Sequence, residues 1–139
     1  MGENQELIRA AIEAMGYAYT PYSGFQVGAA LLTEEGKIYS GCNIENAAYS
    51  PTNCAERTAF FKAVSEGERH FAAICIVGGK NGVLTDYTAP CGVCRQVMRE
   101  FCDPKTFRVI LAVNEENWKE YRLEELLPKG FGPENLWEA

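Results

Sequence analysis

The sequence predicts an α/β fold, namely a three-layer α/β/α sandwich around a mixed sheet of about five strands. Two observations carry this prediction. Helical patterns alternate with short apolar runs, and two of the runs, residues 71–77 and 108–113, are too continuously apolar for strands with one wet face. Such strands need helices on both sides. No repeat, low-complexity tract or linker interrupts the pattern, so residues 1–139 are expected to form a single domain.

The first half of the chain is expected to give a helix, a hairpin and a second helix. Apolar residues recur with a 3.6-residue period over residues 7–16, which indicates an amphipathic helix. The β-prone runs 25–32 and 37–42 flank a Thr-Glu-Glu-Gly turn, a pattern typical of an antiparallel hairpin. The next helix is predicted over residues 54–65.

The second half is expected to continue with helix, strand, strand and short helix. Pro90 is tolerated in the first turn of a helix, so residues 91–101 are predicted to be helical. A tight polar turn separates the apolar run 108–113 from residues 118–122, which favours an antiparallel return. Residues 123–127 form a predicted short helix.

Composition narrows the classes of function. The chain is 47% hydrophobic and carries a formal net charge of −6, and no apolar run reaches the length of a membrane span. A negative domain repels polyanions, so a nucleic-acid partner is not expected and a small uncharged substrate fits better. A secretory signal begins with basic residues followed by an apolar run, whereas the start of this chain is acidic. We therefore expect a cytoplasmic protein. In that reducing compartment, cysteines favour metal binding or burial over disulfides.

Three cysteines and one glutamate predict a catalytic zinc site. Cys54, Cys91 and Cys94 supply three thiolates, and a catalytic zinc leaves its fourth position to water or substrate. The predicted helices place all three cysteines in first turns, where free N–H groups and the helix dipole stabilise thiolates. Glu56 lies two residues after the first cysteine, where its carboxylate could take a proton without binding the metal.

Arg57 is the candidate to offset the negative charge of three thiolates, through hydrogen bonds to the cysteine sulfurs. Two other readings of the cysteines stay open. Cys42 could close a purely structural zinc site, or the Cys-x-x-Cys pair could be a redox dithiol. Both leave Glu56 without a role.

Two further motifs bear on ligands. Asn43 and Glu45, two residues apart in an extended segment, point the same way and can together bind hydroxyl groups of one ligand. The glycine-rich segment 78–82 lacks the order of a phosphate-binding loop and is interpreted as a turn.

Four segments together resemble the short, homotetrameric cytidine deaminases, over nearly the whole chain. They are residues 25–30 (FQVGAA), 43–49 (NIENAAY), 54–59 (CAERTA) and 90–96 (PCGVCRQ). The zinc deaminases share a His/Cys-x-Glu element followed by Pro-Cys-x-x-Cys, here in an all-cysteine variant. The resemblance implies one zinc per subunit and hydrolysis of cytidine and deoxycytidine to uridine and deoxyuridine with release of ammonia, as in pyrimidine salvage.

The resemblance also implies roles for individual residues. Glu56 would shuttle protons between the attacking water, ring N3 and the departing amine. The backbone N–H groups of Ala55 and Cys91 would hold the pyrimidine carbonyl, the Ala89 carbonyl would receive the amino group, and Phe25 would pack against the ring. Asn43 and Glu45 would bind the ribose hydroxyls. A carboxylate there would repel a 5′-phosphate, so nucleosides are expected to be preferred over nucleotides.

By the same resemblance, Ala47, Tyr49 and the C-terminal Phe131 would reach the active site of a neighbouring subunit of a homotetramer. Blasticidin-type deaminases share the zinc elements, and polynucleotide-editing enzymes share the fold. The Asn43/Glu45 pair and the acidic charge disfavour both of these alternatives.

Overall fold

A single mixed sheet forms the centre of the molecule. The computed structural model describes residues 2–137; Met1 and residues 138–139, which belong to the predicted domain, lie outside the described part. The strands are β1 (Phe25–Thr33), β2 (Ile38–Cys42), β3 (Phe71–Lys80), β4 (Arg108–Asn114) and β5 (Asn117–Arg122). Their order is β2-β1-β3-β4-β5, with β3 and β4 parallel and the other neighbours antiparallel. The predicted hairpin, central strand and antiparallel return are all confirmed.

Helices cover both faces of the sheet. They are α1 (Glu3–Met15), α2 (Ala55–Ser65), α3 (Gly92–Phe101), α4 (Leu123–Leu126) and α5 (Glu134–Trp137). One buried cluster joins α1 to one face of the sheet, and a second joins α2, α3 and α4 to the other. The predicted three-layer sandwich is therefore confirmed.

Strand β3 shows why the chain needs both helical layers. Ile74 and Ile76 pack into the cluster on the α2 and α3 side, whereas Cys75 and Val77 pack into the cluster on the α1 side. All of them are fully buried, since alternate side chains of a strand point to opposite faces. Burial of each large apolar side chain contributes roughly 1.5–3 kcal/mol.

Gly41 sets the position of α2 on the sheet. A Cβ atom at Gly41 would lie 2.6 Å from both the Ala55 carbonyl oxygen and the Ala59 nitrogen, closer than real contacts allow. The first turn of α2 therefore rests directly on the backbone of β2. This close approach fixes where the helix that carries Glu56 begins.

Within residues 2–137, no helix is both long enough and apolar enough to cross a membrane.

Candidate active site

Three cysteine side chains converge at the ends of two helices. The sulfur of Cys91 lies 3.8 Å from that of Cys54 and 3.5 Å from that of Cys94, and all three sulfurs lie within 4.8 Å of one another. A tetrahedral zinc with Zn–S bonds of about 2.3 Å requires S···S separations of ~3.8 Å. The three thiols therefore fit a zinc ion. Cys42 does not belong to this group.

The helix boundaries differ slightly from the prediction that all three cysteines lie in first turns. Cys54 and Cys91 are the N-cap residues of α2 and α3, and only Cys94 lies within a first turn. An N-cap residue has extended backbone and precedes the first turn, so its side chain can face a partner beyond the helix end. The positive ends of both helix dipoles still lie beside the thiols.

Hydrogen bonds shift the pKa values of Cys54 and Cys94 in opposite directions. The pKa of the Cys54 thiol is lowered to about 5 by a hydrogen bond from Cys94 and then by Arg57, whose Nη2 donates to Cys54 Sγ at 3.1 Å. The bond to Cys54 in turn raises the pKa of Cys94. Arg57 Nε is buried with no hydrogen-bond partner in the described part of the chain. Arg57 thus contacts the sulfur of Cys54, and its role in offsetting the charge of the thiolates stays a prediction.

Glu56 is a buried carboxylate beside the thiols, with only 5% of its surface exposed. Burial raises its pKa to about 7. A side chain with such a pKa can both accept and donate a proton at neutral pH. Glu56 lines a cleft of about 180 Å³ whose other lining residues are Val27, Asn43, Cys54, Ala55, Thr88, Ala89 and Cys91.

The cleft brings several predicted site residues together. Ala55, Ala89 and Asn43 line it together with two of the cysteines. The Asn43 side chain is held by the first strand: its Nδ2 donates to the Phe25 carbonyl and its Oδ1 accepts from the Val27 N–H, both at 2.9 Å. Asn43 is therefore rigidly placed at the cleft wall.

Glu45 lines a different groove from Asn43 within one chain, and their joint contact with a ligand stays a prediction. Glu45 lines a separate groove that also contains Tyr49. Its carboxylate accepts hydrogen bonds from the N–H groups of Tyr22 and Ser23, at 3.0 and 3.1 Å, and from the Ser23 hydroxyl. The Ser23 hydroxyl bond lowers the pKa of Glu45. Within one chain, Glu45 thus secures the loop that precedes β1.

The remaining predicted residues are outside the cleft. Phe25, which is 38% exposed, starts β1 at the rim, and Ala47 and Tyr49 lie exposed in the loop that follows β2. Phe131 is 58% exposed, and its carbonyl accepts a hydrogen bond of 2.8 Å from Gln96 Nε2 on α3. These side chains do not meet in one chain.

Sequence reasoning missed two residues of the cleft wall. Val27 and Thr88 line the cleft next to the predicted residues. Val27 shares a strand face with Phe25, since the two are two residues apart in β1, and Thr88 directly precedes Ala89. Strand alternation and adjacency to a predicted residue were the available signals.

Comparisons with known proteins agree with this geometry. The family described as "Cytidine and deoxycytidylate deaminase zinc-binding region" matches residues 1–110, a stretch that contains the three thiols and Glu56. A cytidine deaminase of Sporosarcina psychrophila is 51% identical over 132 residues, 95% of this chain and 93% of that protein. The chain belongs to the cytidine deaminase family. A cytidine deaminase of Halalkalibacterium halodurans is 48% identical over 96% of this chain and 98% of that protein.

Solved structures of this family share the fold. The crystal structure of cytidine deaminase from Burkholderia pseudomallei superposes with a TM-score of 0.81 at 47% identity, covering 91% of this chain and 97% of that one. Cytidine deaminase from Mycobacterium tuberculosis gives a TM-score of 0.78 at 37% identity, covering 92% and 96%. As a member of this zinc-binding family with a matching trio of thiols, the chain is an enzyme whose cofactor is zinc.

Proposed function

We propose that this chain catalyses the hydrolytic deamination of cytidine and deoxycytidine to uridine and deoxyuridine, releasing ammonia. The observation that carries the proposal is the placement of a buried carboxylate, Glu56, in the same cleft as the thiols of Cys54 and Cys91. A metal site alone would serve a structural role equally well. A buried carboxylate in its cleft supplies the proton transfers that hydrolysis of an amino group needs.

The residues divide the chemistry between them. Cys54, Cys91 and Cys94 would hold a zinc ion, which would supply the Lewis-acid chemistry that makes a water molecule nucleophilic. Glu56 takes one proton from the attacking water and passes it to ring N3, and then moves the second proton of that water to the departing amine, which leaves as ammonia. Because Glu56 is buried, its proton transfers take place away from bulk solvent.

Backbone groups orient the pyrimidine ring. The N–H groups of Ala55 and Cys91, at the starts of α2 and α3, hold the pyrimidine carbonyl, since helix N-termini present unpaired donors. The Ala89 carbonyl, which also lines the cleft, accepts a hydrogen bond from the substrate amino group. Arg57 draws electron density from the thiolate of Cys54 and so offsets the negative charge of the site.

The site is completed by assembly into a homotetramer, with one domain per subunit. Asn43 and Glu45 bind the ribose hydroxyls and Phe25 packs on the ring, while Ala47, Tyr49 and Phe131 reach the site of a neighbouring subunit. The exposure of Tyr49 and Phe131, at 73% and 58%, supports this arrangement, because large aromatic side chains gain free energy when a partner covers them.

One assay with two cysteine variants tests the proposal. Purified protein is measured for zinc content and for ammonia release from cytidine, deoxycytidine, cytidine 5′-monophosphate and blasticidin. Cys91→Ala is expected to lose both zinc and turnover. Cys42→Ala, the matched control outside the thiol group, is expected to keep both. Zinc-loaded wild-type protein that releases no ammonia from cytidine or deoxycytidine contradicts the proposal.

A further inference from the structure

The glycine pair at the end of β3 supports the loop that leads into the cleft. A Cβ atom at Gly79 would lie 1.9 Å from the Val83 carbonyl oxygen, and one at Gly78 would lie 2.9 Å from Thr88 Oγ1 and 3.2 Å from Phe25 Cε2. Both glycines therefore let loop 81–90 fold back onto bare backbone. In the glycine-rich segment 78–82, Gly78 and Gly79 thus have a structural role, which is to let this loop pack on β3.

Thr88 fastens this loop to the sheet. Its hydroxyl donates a hydrogen bond of 3.2 Å to the Gly78 carbonyl, and its side chain also lines the cleft. Gly78 is the register partner of Val27 on β1, and Val27 lines the cleft as well. Thr88 is thus tied to the strand pair that forms one wall of the cleft.

The next residue after Thr88 is Ala89, whose carbonyl is the proposed acceptor for the substrate amino group. The anchored hydroxyl and that carbonyl belong to adjacent residues, so loss of the anchor lets the carbonyl drift away from the amino group. We propose that Thr88 is a positioning residue that holds the Ala89 carbonyl in place, with Gly78 as its support. This inference rests on the proposed deaminase function.

Comparing a substrate with its product isolates the role of Thr88. Cytidine carries the amino group that donates to Ala89, whereas uridine carries an oxygen at that position and makes no such bond. Thr88→Val keeps the volume of the side chain and removes its hydroxyl. We expect it to raise the KM for cytidine about three- to tenfold, the range that one lost hydrogen bond carries, without raising the inhibition constant of uridine.

Three further variants complete the test. Thr88→Ser keeps the hydroxyl and is expected to recover most of the cytidine affinity that Thr88→Val loses. Thr85→Val, the same substitution at an exposed position of the same loop, is expected to behave as wild type. Thr88→Ala, which removes the same hydroxyl with a smaller side chain, is expected to reproduce the selective loss of cytidine affinity and keeps the test available if Thr88→Val does not fold.

The outcomes separate this inference from its premise. Zinc content equal to wild type shows that the metal site is intact in each variant. Equal weakening of cytidine and uridine, or an unchanged KM for cytidine in Thr88→Val, overturns the role of Thr88. A wild-type protein without cytidine turnover refutes the proposed function instead. The wild-type assay therefore comes before the variants.

Discussion

The thiol-bearing end of the fold and the outer aromatic residues differ in how far one chain assembles them. Cys54, Cys91 and Cys94 lie with their sulfurs within 4.8 Å of one another, and Glu56 beside them is almost fully buried. Tyr49 and Phe131, by contrast, are mostly exposed, as is Ala47. The comparison teaches that one chain preorganises the proposed chemistry but leaves the proposed substrate contacts incomplete.

The largest effect on turnover is expected from Glu56→Gln, which changes the preorganised, thiol-bearing end of the fold. The amide keeps the shape of the side chain but cannot take a proton, so kcat is expected to fall at least ~10²–10⁴-fold. Zinc content and cytidine binding are expected to persist, as measured by metal analysis and calorimetry. Glu66→Gln, at the exposed far end of α2, is the matched control. A Glu56→Gln protein with wild-type kcat would refute the proton shuttle.

Arg57→Met tests whether the charge beside the thiols matters. The variant keeps the aliphatic stem and removes the hydrogen bond to Cys54 Sγ. Groups that support metal ligands typically contribute 10–100-fold to metal affinity or activity, so we expect a zinc affinity lower by about that factor in competition with a chelator. Arg69→Met, just beyond α2, controls for the loss of an arginine. Equal chelator resistance in wild type and Arg57→Met would show that the charge is dispensable.

Much of the fold follows from local pattern. The 3.6-residue period of residues 7–16 and the continuous apolar run 71–77 predicted α1 and β3, and burial on both faces of β3 confirms the reasoning. Strand order did not follow, because it depends on packing between distant segments. The close approach of α2 to Gly41 is one such contact, and no local sequence pattern predicts it.

The candidate site was predicted only in part, because some of its contacts join distant segments of the chain. The Cys-x-Glu and Cys-x-x-Cys elements are local signals, so the thiols and the neighbouring Arg57 could be identified from sequence even though Cys54 lies 37 residues before Cys91. The place of Glu45 could not, since its partners Tyr22 and Ser23 lie more than twenty residues earlier in the chain. Thr88 was missed because its role depends on a contact with Gly78 on another element.

Phe131→Ala tests the outer aromatic residues, whose proposed substrate contacts one chain leaves incomplete. If Phe131 packs in the active site of a neighbouring subunit, its removal is expected to raise the KM for cytidine about tenfold while zinc content stays constant. Trp137→Ala, an even more exposed aromatic in the same terminal segment, is the control. Progressive dilution of wild-type protein is expected to abolish turnover if the proposed tetramer completes the site. A fully active monomer would show that one chain completes its own site.

The smallest effect is expected at Glu45, through its charge. Cytidine 5′-monophosphate is expected to be a poorer substrate than cytidine by kcat/KM, because a carboxylate near the ribose repels the phosphate. Glu45→Gln is expected to narrow this difference by about two- to fivefold, since exposed charges interact weakly through water. Added salt is expected to reduce the difference in kcat/KM between the two substrates in wild type, but much less in Glu45→Gln. Glu35→Gln, in the exposed β1–β2 turn, serves as the control. If Glu45→Gln leaves the preference unchanged, Glu45 acts in its own chain alone, as the anchor of the loop before β1, and the ribose must be held by other groups.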